Sequence, residues 1–196
     1  MKNILLSVLA ACSVVSARAA VFDYTVTFSD VGETLPSTGT GFGTVSYDST
    51  AHSLQLMANF SGLQGTTTAS HIHAPTLVAG TGNAGVATTT PTFALFPLGV
   101  TSGSFSDTLD LTLASSWNPA YVTANGGTTA GAESAFAAAV ASGQAYWNIH
   151  TTFASGGEIR GFLTAVPEPS SLALAGLGFL AMAASVVKGR RRAHNS

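Results

Sequence analysis

From Val21 onward the apolar residues of this chain fall on alternate positions in short runs, each cut by glycine, proline or a Ser/Thr/Asn cluster. Period-two alternation gives a strand one apolar and one polar face, and it cannot form the apolar stripe of a helix. Residues 21–28 are the clearest case. Phe22, Tyr24, Val26 and Phe28 share one face, and Asp23, Thr25 and Thr27 take the other. The same reading predicts strands at 42–47, 52–60 and 69–73, with Leu54, Leu56, Ala58 and Phe60 inward in the second of these. It predicts another at 104–113, with Phe105, Leu109, Leu111 and Leu113 on one face. Strands at 145–151 and 158–164 should pair as a hairpin around Ser155-Gly156-Gly157. One helix interrupts them at 132–142, where Phe136 and Val140 lie one turn apart, Thr129 can cap the start and Gly143 can end it. The expected fold is all-β: an antiparallel β-sandwich or Greek-key barrel with one short helix.

Both ends of the sequence carry signals of another kind. Met1-Lys2-Asn3 is a positive start, 4–15 is apolar, and Ala17-Arg18-Ala19 is a small-residue cleavage site, so 1–19 is expected to be a signal peptide read by the Sec machinery. Leu9-Ala10-Ala11-Cys12 also reads as a lipobox, but the apolar stretch runs past it and ordinary cleavage is the preferred reading. At the other end Pro167-Glu168-Pro169 precedes an apolar run at 171–187 and then Lys188-Gly189-Arg190-Arg191-Arg192. As a helix, 172–187 would rise about 24 Å, short for a bilayer crossing. The Arg190, Arg191 and Arg192 cluster marks its cytoplasmic end. The segment 166–192 closely resembles the PEP-CTERM sorting tail of Gram-negative bacteria. The resemblance implies an exosortase-type processing enzyme that cuts near Pro-Glu-Pro. The protein would be held briefly in the membrane by the C-terminal transmembrane helix and then reach the cell surface or the exopolysaccharide matrix.

Between the signals lies one domain, 20–165. Two of the seven Lys and Arg residues lie in the leader and four in the tail, leaving Arg160 as the only base in the body against eight acids, a net charge of −7. Such a surface repels phosphate backbones and excludes nucleic-acid binding. Cys12 is the only cysteine and leaves with the leader, which removes disulfides, thiol nucleophiles and Cys-type zinc sites. No nucleophile-elbow motif surrounds any serine. The Gly-Thr-Gly-Asn-Ala-Gly run at 80–85 lacks the lysine and following helix of a phosphate loop. Trp117, Tyr121 and Tyr146 could stack on sugars or fill the core.

The remaining chemistry is concentrated in two passages. His71 and His73 flank Ile72 in one predicted strand and point the same way. Tyr146, Asn148 and His150 share a face of another, and Glu158 and Arg160 share a face of its hairpin partner. If the strands adjoin, His71, His73 and His150 supply three imidazoles suited to Zn²⁺ or Cu²⁺, with Glu158 or water completing the site. The competing reading is structural: the histidines bond to Asn148, Glu158 and loop backbone and pin the 80–85 loop, while Arg160 pairs with Glu158 or another acid.

These passages resemble the CHRD domain, named for chordin and widespread in secreted bacterial proteins. His-Ile-His, a Gly-rich loop, Tyr-Trp-Asn-Ile-His-Thr and Gly-Glu-Ile-Arg-Gly-Phe-Leu carry the likeness, with Asn148, Glu158 and Arg160 inside the closing motif. Ala74 stands where a glycine is often found after the His-x-His pair. The resemblance implies an extracellular all-β module. The combined expectation is a secreted or surface-sorted, non-enzymatic module of the extracellular or biofilm matrix, with an exopolysaccharide or matrix protein as partner. The alternative is a histidine-ligated extracellular metal-binding protein.

Overall fold

The computed structural model describes residues 21–167. The signal peptide at 1–19 and the sorting tail from Glu168 onward, with Pro169 and the Arg190, Arg191 and Arg192 cluster, lie outside the described residues. Among the described residues no helix is long and apolar enough to cross a membrane.

The predicted strands are present, with ends shifted by a few residues. They are β1 (Val21–Phe28), β2 (Thr40–Asp48), β3 (Ser53–Ser61), β4 (Thr67–His73), β5 (Gly103–Asp110), β6 (Tyr146–Thr151), β7 (Ile159–Phe162) and the two-residue β8 (Thr164–Ala165). One sheet has the order β5-β3-β2-β1-β8 and the other the order β4-β6-β7; the neighbours β1–β2, β2–β3, β3–β5, β4–β6 and β6–β7 all pair antiparallel. The two sheets stack as a sandwich around the indole of Trp147, fully buried on β6. Phe28 of β1, Phe105 of β5 and Phe93 of a loop stand edge-on to it at 5.5, 6.1 and 5.7 Å between centroids. Its Nε1–H donates to Ser70 Oγ at 2.7 Å, and Ser70 Oγ donates to Asn148 O at 3.0 Å, so the polar edge of the indole is satisfied inside the core. The sheets also meet at a corner, where Ser29 exchanges two backbone hydrogen bonds with Arg160. Gly161 makes that approach feasible: a Cβ there would sit 2.3 Å from the carbonyl oxygen of Thr27.

Three local expectations are corrected. The strand expected at 104–113 stops at Asp110, whose carboxylate accepts from Thr112 N–H and Oγ1–H and turns the chain. Leu113, predicted inward with Phe105, is consequently half exposed. The predicted helix, α2 (Thr129–Ala141), begins earlier than expected and is capped by Thr128, whose hydroxyl accepts from Gly131 N–H, and not by Thr129. A shorter helix, α1 (Pro119–Ala124), precedes it and was not anticipated. It buries Tyr121 beside Trp117, with centroids 6.1 Å apart, so these two aromatics are core residues and not a sugar platform.

Candidate metal centre

The free edge of β4 determines what the site can be. Loop 74–102 runs back along that edge and satisfies it: Ala74 N–H donates to Gly85 O, Ala87 N–H to Ile72 O, and Phe93 N–H to Ser70 O. Thr88 and Thr92 hydroxyls accept from the backbone N–H groups of Ile72 and Ser70. A segment laid along the strand in this way also presents its own carbonyls to the side chains of β4. His71 Nδ1 lies 3.2 Å from Pro91 O, and His73 Nδ1 lies 2.8 Å from Ala84 O.

β6 lies on the other side of β4, with His71 opposite Asn148, His73 opposite Tyr146 and Ala69 opposite His150. The adjacency needed for the third histidine is thus direct strand pairing. The turn after β6 folds back through Thr151 N–H to Ala154 O and Gly157 N–H to Ala154 O. That places Ser155 O 2.8 Å from His150 Nδ1. Gly157 has φ +131°, and a Cβ on it would strike the Asn148 amide, so this tight return depends on glycine.

His71, His73 and His150 come together. Ring centroids are 4.8 Å apart for His71–His73, 4.6 Å for His71–His150 and 5.9 Å for His73–His150. One nitrogen from each ring lies within 4.8 Å of the other two. Ligand nitrogens on one tetrahedral zinc would be about 3.4 Å apart, so small ring rotations close the set. A carbonyl oxygen only accepts, so each Nδ1 carries the proton and each neutral ring keeps its lone pair on Nε2. His73 Nε2 and His150 Nε2 are buried and have no hydrogen-bond partner among the described residues. Burial, reinforced by His150 and His73, pulls the His71 pKa down to about 3, against a smaller upward pull from the bond to Pro91. Burial likewise pulls His73 down to about 4 and lowers His150. The rings are therefore neutral at neutral pH, the form a metal requires. An Nδ1–H held by an outer oxygen is also the arrangement that orients metal-ligating histidines.

Glu158, the expected fourth ligand, is not in this cluster. Its alternation breaks at the turn, and the carboxylate is fully buried elsewhere. It accepts from Ser37 Oγ at 2.6 Å, Thr151 Oγ1 at 2.6 Å, Gln64 N–H at 2.6 Å and Gly65 N–H at 3.1 Å. Burial pushes its pKa up, but these four donors outweigh burial and hold it below the usual carboxylate range. Its role is to tie three loops together.

Arg160 stands opposite Asn148 on β7. Its acid is Glu33, with Nε 3.6 Å from Oε1 and both side chains buried. Its Nη1 donates to Gly82 O at 3.2 Å and Asn83 Oδ1 at 2.7 Å, Nη2 donates to Gly32 O at 2.5 Å, and the guanidinium lies 4.8 Å over the Tyr146 ring. Tyr146 in turn stacks flat on His73 at 4.7 Å. Arg160 thus fixes the 31–33 and 80–85 loops and backs the imidazole wall. The sequence led us to expect loop-backbone partners for the histidines and an acid for Arg160, and the structure supplies Pro91, Ala84 and Ser155 for the first and Glu33 for the second. Glu33 sits in a turn with no periodic signal, and a backbone carbonyl has no residue signature. His52 is half exposed and bonds through Nδ1 to the buried Glu133 at 2.9 Å. A shallow groove of about 560 Å³, lined by Thr40, Asn59, Ser61 and Ser104 among others, contains none of the histidines.

The CHRD domain model matches residues 22–163, and the PEP-CTERM protein-sorting motif matches residues 165–192. No curated protein and no solved structure matches the chain. The antiparallel sandwich carries the His-Ile-His strand against the Tyr-Trp-Asn-Ile-His-Thr strand, and the chain belongs to the CHRD domain family. Its sorting motif directs it to export, to exosortase-type processing and to the surface or exterior of the cell.

Two outcomes are expected. Arg160→Ala strands a buried carboxylate and should cost about 3–5 kcal/mol in chemical denaturation. Arg160→Lys should recover only part, because lysine lacks the planar fork. A loss below about 0.5 kcal/mol, typical of an exposed pair, would contradict this. The second concerns pH in the metal-free protein. All three histidines have folded pKa values below the unfolded value of about 6.5, so in that interval the unfolded chain binds more protons. Stability should therefore fall as pH drops from about 6.5 toward 4, with Arg160 adding to the penalty at His73. Glu33, whose pKa is raised by burial, acts in the opposite direction, and Glu158 adds its own loss only in the acid carboxylate range. Urea midpoints across pH 7 to 5 test this; a flat profile contradicts buried neutral imidazoles.

Proposed function

We propose that this protein is a surface-sorted CHRD module that holds one divalent transition-metal ion, zinc or copper, outside the cell on His71, His73 and His150. The observation that carries the reading is the shared state of the three rings. Each meets a loop carbonyl through Nδ1, which leaves its Nε2 lone pair unspent, and one nitrogen of each ring lies within 4.8 Å of the other two. Imidazole donors without thiolate suit zinc or copper over iron–sulfur or calcium chemistry, and they survive an oxidising exterior. The module acts as a matrix or surface component, with the ion bound and not turned over. Before processing, the C-terminal apolar segment holds it at the membrane. The acidic body meets an acidic polysaccharide best through a bridging cation.

Metal analysis of the purified protein after Zn²⁺ or Cu²⁺ loading and exhaustive dialysis tests the reading. Wild type should retain close to one ion per chain. The His71→Gln, His73→Gln, His150→Gln triple variant should retain background. Equal content in the two would remove the site.

A further inference from the structure

The buried polar atoms without a partner among the described residues are five, and four of them belong to one neighbourhood: His73 Nε2, His150 Nε2, Asn148 Oδ1 and Glu33 Oε1. The fifth, the Tyr121 hydroxyl, belongs to the helical part of the core. All four are lone-pair atoms at neutral pH, and none is a donor. Glu33 Oε1 faces the Arg160 guanidinium at 3.6 Å, so the unanswered acceptors are the two imidazole nitrogens and Asn148 Oδ1; buried polar groups are almost always satisfied, so these call for an occupant that is cationic or donates protons.

Asn148 lies at the centre of that neighbourhood. On its own strand it lies between Tyr146 and His150, on the face both share. Across the strands it lies opposite His71 on one side and Arg160 on the other. It is 2% exposed. The orientation of its amide is fixed by chemistry: the 3.3 Å contact to Gly156 O requires the nitrogen there, because two carbonyl oxygens do not bond. Oδ1 is therefore the end left over, a buried acceptor on a residue whose cross-strand neighbours are His71 and Arg160.

Among the described residues no fourth His, Cys, Asp or Glu joins these rings. The candidate metal group among the described residues contains the three histidines alone. Glu158 is occupied by four donors. The Tyr146 hydroxyl contacts the backbone of Ala84, and its ring lies flat on His73. Four protein ligands make a closed structural zinc site, whereas three leave a position for solvent or another small ligand.

We infer that the tris-histidine centre keeps a fourth position for an exchangeable small ligand, and that Asn148 Oδ1 is the positioning group that accepts a hydrogen bond from a water molecule held there. The inference rests on the metal reading above and adds the ligand class: water at rest, displaced by small anions that coordinate directly. Asn148 touches no metal in this arrangement. It acts by favouring a ligand that has a proton to donate over one that has none.

Co²⁺ serves as the probe ion and azide as the probe anion, read by visible absorption of the purified protein. Wild type should bind about one Co²⁺ with the intense bands of a four-coordinate ion, and azide should shift those bands saturably. Asn148→Ala should take up the same Co²⁺ and bind azide about five- to tenfold more tightly, because the competing water has lost one hydrogen bond. Asn148→Asp keeps an acceptor in place and should bind azide no more tightly than wild type. A wild-type cobalt spectrum insensitive to azide overturns the open position whatever the variants do. Unchanged azide affinity in Asn148→Ala overturns the role of Oδ1. Failure of wild type to bind Co²⁺ at all would instead remove the underlying metal reading.

Discussion

β6 is buried on both faces along its whole length, and much of the molecule follows from that constraint. Trp147, Ile149 and the Trp147–Ser70 bond belong to the sandwich core, where apolar burial needs no special provision. The opposite face carries Tyr146, Asn148 and His150, which are polar and yet nearly as dry. Polar groups removed from water must be bonded or they cost free energy. Loops are therefore drawn across this face, and their carbonyls and the guanidinium of Arg160 satisfy most of what lies beneath. Loop 74–102 is long for a connection within a compact domain. Its length is used to cover the β4 edge, fill the core with Phe93 and Phe96, and anchor two imidazoles.

The anchoring leaves a chemical remainder. Once Pro91, Ala84 and Ser155 have taken the three Nδ1 protons, the Nε2 lone pairs cannot be satisfied by further carbonyls. The nearest fixed cation, Arg160, is occupied by Gly32, Gly82, Asn83 and Glu33. The site is rigid, neutral and short of donors, which is the description of a preorganised ligand set for a soft-to-borderline cation. The body's net charge of −7 with a single base gives the surrounding field the same sign preference.

Much of this was legible in the sequence because strands have a strict period. His71 and His73 had to share a face, as did Asn148 with His150, whereas the place of Arg160 opposite Asn148 comes from the strand register. What the period could not supply was behaviour at strand ends. Glu158 falls one residue outside β7, beyond the Gly157 turn, and its side chain goes to Gln64 and Gly65 and not to the histidines. Leu113 was misplaced for the same reason, the chain having turned at Asp110. The partner of Arg160 was open among eight acids, since long-range loop packing selects Glu33. Adjacency of β4 and β6 was a condition the sequence left open, and the register His71–Asn148 meets it.

The central claim is that three imidazoles share one tautomer so that three Nε2 atoms face a common space. Nitrogen-15 NMR of the side-chain imidazoles reads this directly, ring by ring. In metal-free protein at pH 7, His71, His73 and His150 should each show a protonated Nδ1 and an unprotonated Nε2, and addition of one equivalent of Zn²⁺ should move the three Nε2 resonances together. An Nε2–H tautomer at any of the three in the metal-free protein, or Nε2 resonances that ignore zinc, would contradict the account.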